Sequence, residues 1–213
     1  MPDGLFSYYA SPIGRIGLAA SGVGLTRLWF CESGDEQDEH GLQSDEMCRR
    51  EVLDWPAAPS LGGAFPSPAG ALSAFEAPSG NALAALDTAR RWLDCYFTGH
   101  DPGFLPPLDL EMQGTSFRRT AWRLLLGIPF GQTTTYGRLA RELARLTGRE
   151  RMSAQAVGQA VGSNPIAIIV PCHRVLGSQG QLTGYAYGLQ TKRALLQLEG
   201  MRTSFADLTD FAR

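Results

Sequence analysis

An α+β fold in two parts is expected: a small antiparallel sheet with one helix at the N-terminus, then a mostly helical region that carries the chemistry. Three observations predict it. Residues 5–30 alternate short β-prone runs with Gly- and Pro-containing turns, the pattern of a meander. From residue 83 onward, apolar residues recur at helical spacing in separate short segments. The charge divides along the same line. Residues 1–100 hold 6 Arg against 13 Asp and Glu (net −7), whereas residues 101–213 hold 13 Lys and Arg against 8 Asp and Glu (net +5). A basic half that also holds the reactive motifs fits a nucleic-acid footprint.

Leu5–Ala10, Arg15–Ala20 and Leu25–Phe30 read as three strands joined at Pro12–Gly14 and Gly22–Gly24. Residues 32–46 are dense in Asp and Glu, and 56–82 are rich in Pro, Gly, Ala and Ser, a composition too poor in apolar residues for a core. A long flexible insertion over about 33–81 is therefore expected, with Val52-Leu53-Asp54-Trp55 as a segment able to dock. Leu83 to Phe97 reads as an amphipathic helix with Leu83, Leu86, Ala89, Leu93 and Phe97 on its buried face. The stretch Pro102 to Pro107 is expected to separate an N-terminal domain (1–107) from a catalytic domain (113–200), with a tail over 201–213.

In the second domain, Ser116–Leu126 reads as a helix with Phe117, Ala121, Leu124 and Leu125 inward. Thr135 can cap a helix from Tyr136 to about Leu146, and a further helix spans about Ser153 to Gly162. The turn between them contains Gly148, which suggests helix-turn-helix. The second of these helices is small-residued on nearly every side: Ser153, Ala154, Ala156 and Gly158 could lie against a nucleic-acid backbone or pack tightly on another helix. Arg118, Arg119, Arg123, Arg138, Arg141, Arg145, Arg149 and Arg151 are candidate phosphate contacts. A last helix is expected from about Gln190 to Glu199, closed by Gly200.

At 213 residues, the chain suits one large or two small domains, and no apolar run approaches the ~20 residues of a membrane span. Met1-Pro2-Asp3-Gly4 lacks the basic and apolar stretches of a signal peptide. Cys31, Cys48, Cys95 and Cys172 show no metal-ligand or disulfide spacing. A reduced, cytoplasmic protein without a metal is expected.

The most informative run is Asn164 to Val175. Its five apolar residues, Ile166 to Val170, read as a short buried strand that Pro171 ends. Cys172, His173 and Arg174 follow. A thiol beside a base and a fixed positive charge is a setting that lowers a cysteine pKa and makes a nucleophile. Glu199, at a helix C-terminus, opposes the macrodipole and is better explained by a positively polarised partner such as His173.

Pro171-Cys172-His173-Arg174-Val175, with Asn164-Pro165 before it and Gly184-Tyr185 and Lys192 to Gly200 after it, resembles the O6-alkylguanine-DNA alkyltransferase family. The likeness extends through Gly114-Thr115-Ser116-Phe117, Trp122, Ile128-Pro129-Phe130-Gly131 and Thr135-Tyr136, and more weakly through Ser11-Pro12-Ile13-Gly14. It implies a ribonuclease-H-like N-terminal domain and a winged-helix-like catalytic domain. It also implies a monomer without cofactor that acts on double-stranded DNA containing O6-alkylguanine, with O4-alkylthymine as the alternative lesion. By the same resemblance Cys172 accepts the alkyl group, His173 takes its proton through a water, Glu199 orients His173, and Asn164 braces the turn. Tyr136 donates near guanine N3, and Tyr185 walls the pocket. The carbonyls of Cys172 and Val175 and the N–H of Ala186 read the base. Gly137, Arg174, Ser178 and Lys192 join the surface that meets substrate or DNA. Two positions depart from the family pattern: Gln155 stands where an arginine usually fills the gap left by the flipped base, and Tyr187 stands where glycine is usual.

Two other readings stay open. One is a non-catalytic module that recognises alkylated bases and recruits other repair factors. The other is a thiol hydrolase built on Cys172 and His173.

Overall fold

The computed structural model of the chain describes residues 4–31, 82–111 and 113–201. The expected insertion over 33–81, with its docking segment, and the tail beyond residue 201 lie outside the described residues.

Three strands, β1 (Leu5–Ser11), β2 (Gly14–Ala20) and β3 (Leu25–Phe30), form an antiparallel meander. Its register runs from Leu5 opposite Ala20 to Ser11 opposite Gly14, and from Ile16 opposite Phe30 to Ala20 opposite Leu25, with an irregularity at Ala19/Ala20. Alternation along β2, with the irregularity in β3 between Leu25 and Arg27, places Ile16, Leu18, Ala20, Leu25 and Leu28 on one fully buried face. Helix α1 (Ala82–Phe97) lies across that face through Ala82, Ala85, Leu86, Ala89, Trp92, Leu93 and Tyr96. The buried stripe is therefore rotated from the expected one. Leu83 is 55% exposed, because the positions on the sheet are 82, 85/86, 89, 92/93 and 96, and Leu83 falls outside that arc.

The outer edge of β3 is covered at two points. Leu25 N–H donates to Pro107 O at 2.7 Å and Asp109 N–H donates back to Leu25 O at 2.9 Å. Farther along, Leu28 N–H donates to Pro165 O at 2.9 Å and Ala167 N–H to Leu28 O at 3.1 Å. The stretch up to Pro107 thus leads onto the sheet edge instead of serving only as a spacer, and one continuous apolar cluster joins sheet, α1 and the helical region. Each fully buried Leu or Ile in it contributes about 1.5–3 kcal/mol.

The helical region contains α2 (Ser116–Leu126), α3 (Tyr136–Leu146), α4 (Ala154–Gly162) and α5 (Gly188–Leu198). Side chains of Thr115, Thr135 and Ser153 cap α2, α3 and α4 by accepting from the N–H of Arg118, Arg138 and Ala156. Gly148, at φ +65°, turns the chain from α3 toward α4, as the helix-turn-helix reading requires. Within α2 the buried residues are Ala121, Trp122 and Leu125, while Phe117 and Leu124 are only half-buried. Trp122 takes the central place because its indole N–H reaches Ala160 O at 2.8 Å and pins α2 to α4.

Candidate active site

The segment after α4 is a turn, not the expected strand. Only Ile166 makes a bridge, and Ile168 has φ +65°, which no strand residue adopts. Asn164 shapes the turn with its side chain. Its Oδ1 accepts the Ile166 N–H at 3.0 Å, and its Nδ2 donates to Val170 O at 2.7 Å and to Cys172 Sγ at 3.1 Å. A left-handed isoleucine costs about 1–2 kcal/mol. Complete burial of Ile166, Ile168 and Val170 offsets that cost and seals the turn into the core.

Past Pro171 the chain makes one 3₁₀ turn, Cys172–Arg174, then the two-residue strand β5 (Val175–Leu176). This strand pairs in parallel with β4 (Thr134–Thr135), setting Thr134 opposite Val175 and Thr135 opposite Leu176. The start of α3, and with it Tyr136, is thereby fixed beside the Cys-His-Arg turn.

Behind Cys172 lies a buried polar network centred on Glu199. The carboxylate follows α5, where Gly200 at φ +78° ends the helix. His173 Nε2 lies 2.7 Å from Glu199 Oε1, and both side chains are fully buried. Arg174 grips the same carboxylate through Nε (2.9 Å to Oε2) and Nη2 (3.0 Å to Oε1) and also donates to Ile128 O at 2.6 Å. Gly131 N–H donates to Glu199 Oε2 at 3.1 Å. Gly131 has φ +69°, and a Cβ there would sit 3.0 Å from Glu199 O, so this approach calls for glycine. Tyr96 O–H, from α1, donates to Oε1 at 2.8 Å. Burial pushes the Glu199 carboxyl up, but the hydrogen bonds from His173 and Arg174, with the Arg174 charge, outweigh it and hold it at about 2.

These contacts define the resting charges. Burial drives the His173 imidazole below its ordinary value, more strongly than Glu199 raises it, with Arg174 and Lys192 adding to the fall. His173 is neutral at pH 7, and its contact with the carboxylate assigns the proton to Nε2. Nδ1, buried and without a hydrogen-bond partner among the described residues, keeps its lone pair. Burial also pushes the Cys172 thiol up, against the lowering pull of the Asn164 amide and the Lys192 charge. The expected lowering of the Cys172 pKa is corrected: burial outweighs the neighbouring donors and charge, and Arg174 spends its charge on Glu199.

Cys172 opens onto a cavity of about 160 Å³ lined also by Tyr136, Gly158, Val161, Asn164, Tyr185 and Tyr187. Gly162, Gly184 and Ala186 complete it. The Tyr185 hydroxyl is another buried group there without a partner among the described residues. Tyr187, held at 5.0 Å from the Phe30 ring and 5.7 Å from Tyr185, narrows the rim.

The remaining expected residues fall elsewhere. Gln155, Ser153 and Ala154 are exposed on α4, Gln155 one turn before Gly158, with Ala156 half-buried between them. Arg118, Gly137 and Ser178 are exposed outside the cavity. Lys192 and Arg174 are buried, so neither stands on a surface that could meet DNA. Lys192 Nζ instead donates to the carbonyls of Val175, Thr183 and Gly184 at 2.6, 2.7 and 3.3 Å, tying the 183–187 loop to β5. Its burial brings the ammonium down to about 8. A second, larger concavity, about 510 Å³, lies along α3 and the turn before α4, with Arg141, Arg145, Arg149 and Arg151 on its walls.

Comparison with known proteins agrees with this arrangement. Residues 116–201 match the DNA-binding domain of 6-O-methylguanine DNA methyltransferase, and residues 5–54 match the ribonuclease-like domain of the same family. A methylated-DNA–protein-cysteine methyltransferase of Mycobacterium bovis is 48% identical over 119 residues, 56% of this chain and 67% of that protein. One from Methanosarcina acetivorans is also 48% identical, over 53% of this chain and 67% of its own. Among solved structures, Mycobacterium tuberculosis O6-methylguanine methyltransferase superposes with a TM-score of 0.60 at 35% identity, covering 97% of this chain and 98% of that one. The Mycobacterium tuberculosis OGT complex with DNA gives a TM-score of 0.59 at 36% identity, covering 91% of each chain. The chain belongs to the methylated-DNA–protein-cysteine methyltransferase family.

Proposed function

We propose that this protein reverses DNA alkylation directly, moving an alkyl group from O6 of guanine in duplex DNA to Cys172 in a single irreversible turnover as a monomer. The observation that carries the reading is the placement of Cys172 Sγ at a small cavity with Tyr136 and Tyr185 on its walls, ahead of the His173–Glu199 pair.

In this reading the lesion leaves the stack and enters the cavity, at a cost of a few kcal/mol. His173 Nδ1 takes the thiol proton through a water, and Glu199, already charged and held by Arg174, steadies the imidazolium that forms. A sulfur–carbon bond then forms as the carbon–O6 bond breaks. The electron pair stays on O6 and spreads over the purine, where a hydrogen bond from Tyr136 to N3 reduces the charge until the proton held by His173 returns through water to the released guanine. Because imidazole and thiol are both neutral at rest, the thiolate is generated where it is used. The resulting thioether has no hydrolysable bond, so each molecule acts once. The carbonyls of Cys172 and Val175 and the N–H of Ala186 read the base edge. The exposed small-residue face of α4, with Gln155 on it, lies against the DNA, and exposed arginines such as Arg118 contact phosphates.

The test is stoichiometric. Duplex DNA carrying O6-methylguanine, in excess over protein, should lose one methyl group per protein molecule and then stop. Continued release with turnover would point to a thiol hydrolase. Binding with no loss of methyl would point to a recognition module.

A further inference from the structure

We propose that Tyr96, a residue of the N-terminal helix α1, is a positioning residue of the acid–base network: its hydroxyl holds Glu199 and thereby sets the tautomer and basicity of His173. The inference rests on the alkyl-transfer reading of the site, and deepens it.

Tyr96 is fully buried and turns its hydroxyl onto the His173–Glu199 pair. Its O–H donates to Glu199 Oε1 at 2.8 Å, and the same oxygen atom stands 3.4 Å from His173 Nε2. Oε1 is also the atom that receives His173 Nε2 at 2.7 Å. Tyrosine, histidine and Arg174 Nη2 therefore share one carboxylate oxygen, while Gly131 N–H and Arg174 Nε meet the other. The phenol ring has little freedom: it stacks on Trp92 at 5.1 Å and meets Phe97 and Phe130 edge-on at 5.4 and 5.9 Å. Phe130 immediately precedes Gly131, so one ring packs the peptide that caps Oε2 and the phenol caps Oε1.

The chemical consequence follows from the donor set. A phenol buried beside a carboxylate stays protonated and can only donate to it. Each donor to Oε1 withdraws charge from that oxygen and weakens its pull on the His173 proton. Glu199 thus stays strong enough to hold Nε2–H in place, leaving the Nδ1 lone pair free, yet not so strong that His173 is protonated before substrate arrives. The charged and titratable groups facing His173 are Glu199 and Lys192 from α5 and its end, Arg174 and Cys172 from the 3₁₀ turn, and Tyr96 from α1. Tyr185, from the 183–187 loop, completes the surroundings of Cys172 and Glu199. The sheet-and-helix part of the molecule accordingly supplies a working contact to a polar network otherwise built by residues 128–199.

The direct test reads His173 without reference to alkyl transfer. In the DNA-free full-length protein, the imidazole of His173 is titrated by heteronuclear NMR, assigned by its loss in His173→Asn. Tyr96→Phe keeps the ring packing and removes one donor, so the His173 midpoint should rise, by up to about one pH unit for a single hydrogen bond to a charged acceptor. The acidic limb of the single-turnover rate should rise with it. Trp92→Phe disturbs the same aromatic packing without touching Glu199 and should leave the midpoint in place. An unmoved His173 midpoint in Tyr96→Phe, or an equal shift in Trp92→Phe, would overturn the proposal. Absence of methyl acceptance by the wild-type protein would instead overturn the underlying reading and leave the NMR result standing.

Discussion

Replacing Glu199 with glutamine should change both the stability of the protein and the way stability depends on acid. The carboxyl is held at about 2 in the folded chain against an ordinary 4.5. A depression of that size corresponds to about 3 kcal/mol of stabilisation. Because the folded value is the lower one, this contribution is fully present above the ordinary carboxyl range and is lost as the pH falls toward 2. An independent route leads to the same size: removing one partner of a buried, hydrogen-bonded ion pair costs about 3–5 kcal/mol, since Arg174 would remain buried beside a neutral amide. Urea unfolding of wild type and Glu199→Gln should therefore differ by about 3–5 kcal/mol at pH 7, roughly a 10 °C difference in Tm for a chain of this size. The gap should narrow by about 3 kcal/mol between pH 5 and pH 2. A gap of constant size across that range would refute the claim that the Glu199 charge, and not merely its shape, holds the network.

Other perturbations address separate parts of the account. Trp122→Ala should destabilise by about 3–5 kcal/mol in denaturant unfolding, because it removes a fully packed indole and its bond to Ala160 O between α2 and α4. Tyr187→Gly should widen the rim beside Phe30 and raise the rate ratio of O6-benzylguanine to O6-methylguanine, with little change for methyl; an unchanged ratio would remove Tyr187 from the account of substrate size. Gln155→Arg should speed transfer on duplex DNA several-fold and on single strands little, if the exposed Gln155 fills the space of the extruded base less well than arginine. Equal effects on both substrates would exclude that role.

The sequence made the fold legible where a period or a cap was present. β3 runs over Leu25–Phe30 as expected, β1 and β2 each gain one residue, and Thr135 and Gly148 mark the two ends of α3. The turn at 164–170 was not legible. Five consecutive apolar residues have no periodicity to tell a strand from a buried turn, and the deciding contacts come from the Asn164 side chain instead of a ladder. The roles of Arg174 and Lys192 were misread for a related reason: a basic residue beside a motif suggests an anion outside the protein, and here the acceptors are internal. A signal existed for Lys192, which stands one helical turn before Leu195 and Leu196 on a face that must be buried, so its ammonium required internal partners. Tyr96 carried only the signal of its place on the apolar face of α1. Its acceptor lies 103 residues away, and only the packed chain brings the two together.

In the proposed reaction Cys172 itself keeps the alkyl group, activated from a neutral thiol by a neutral His173. After reaction with one equivalent of duplex DNA carrying O6-methylguanine, proteolysis and tandem mass spectrometry should place one added methyl on the peptide bearing Cys172, as a thioether. Cys172→Ala should bind the same duplex and gain none. A methyl found on Cys31, Cys48 or Cys95, or an unmodified Cys172 after the lesion has been repaired, would contradict the account.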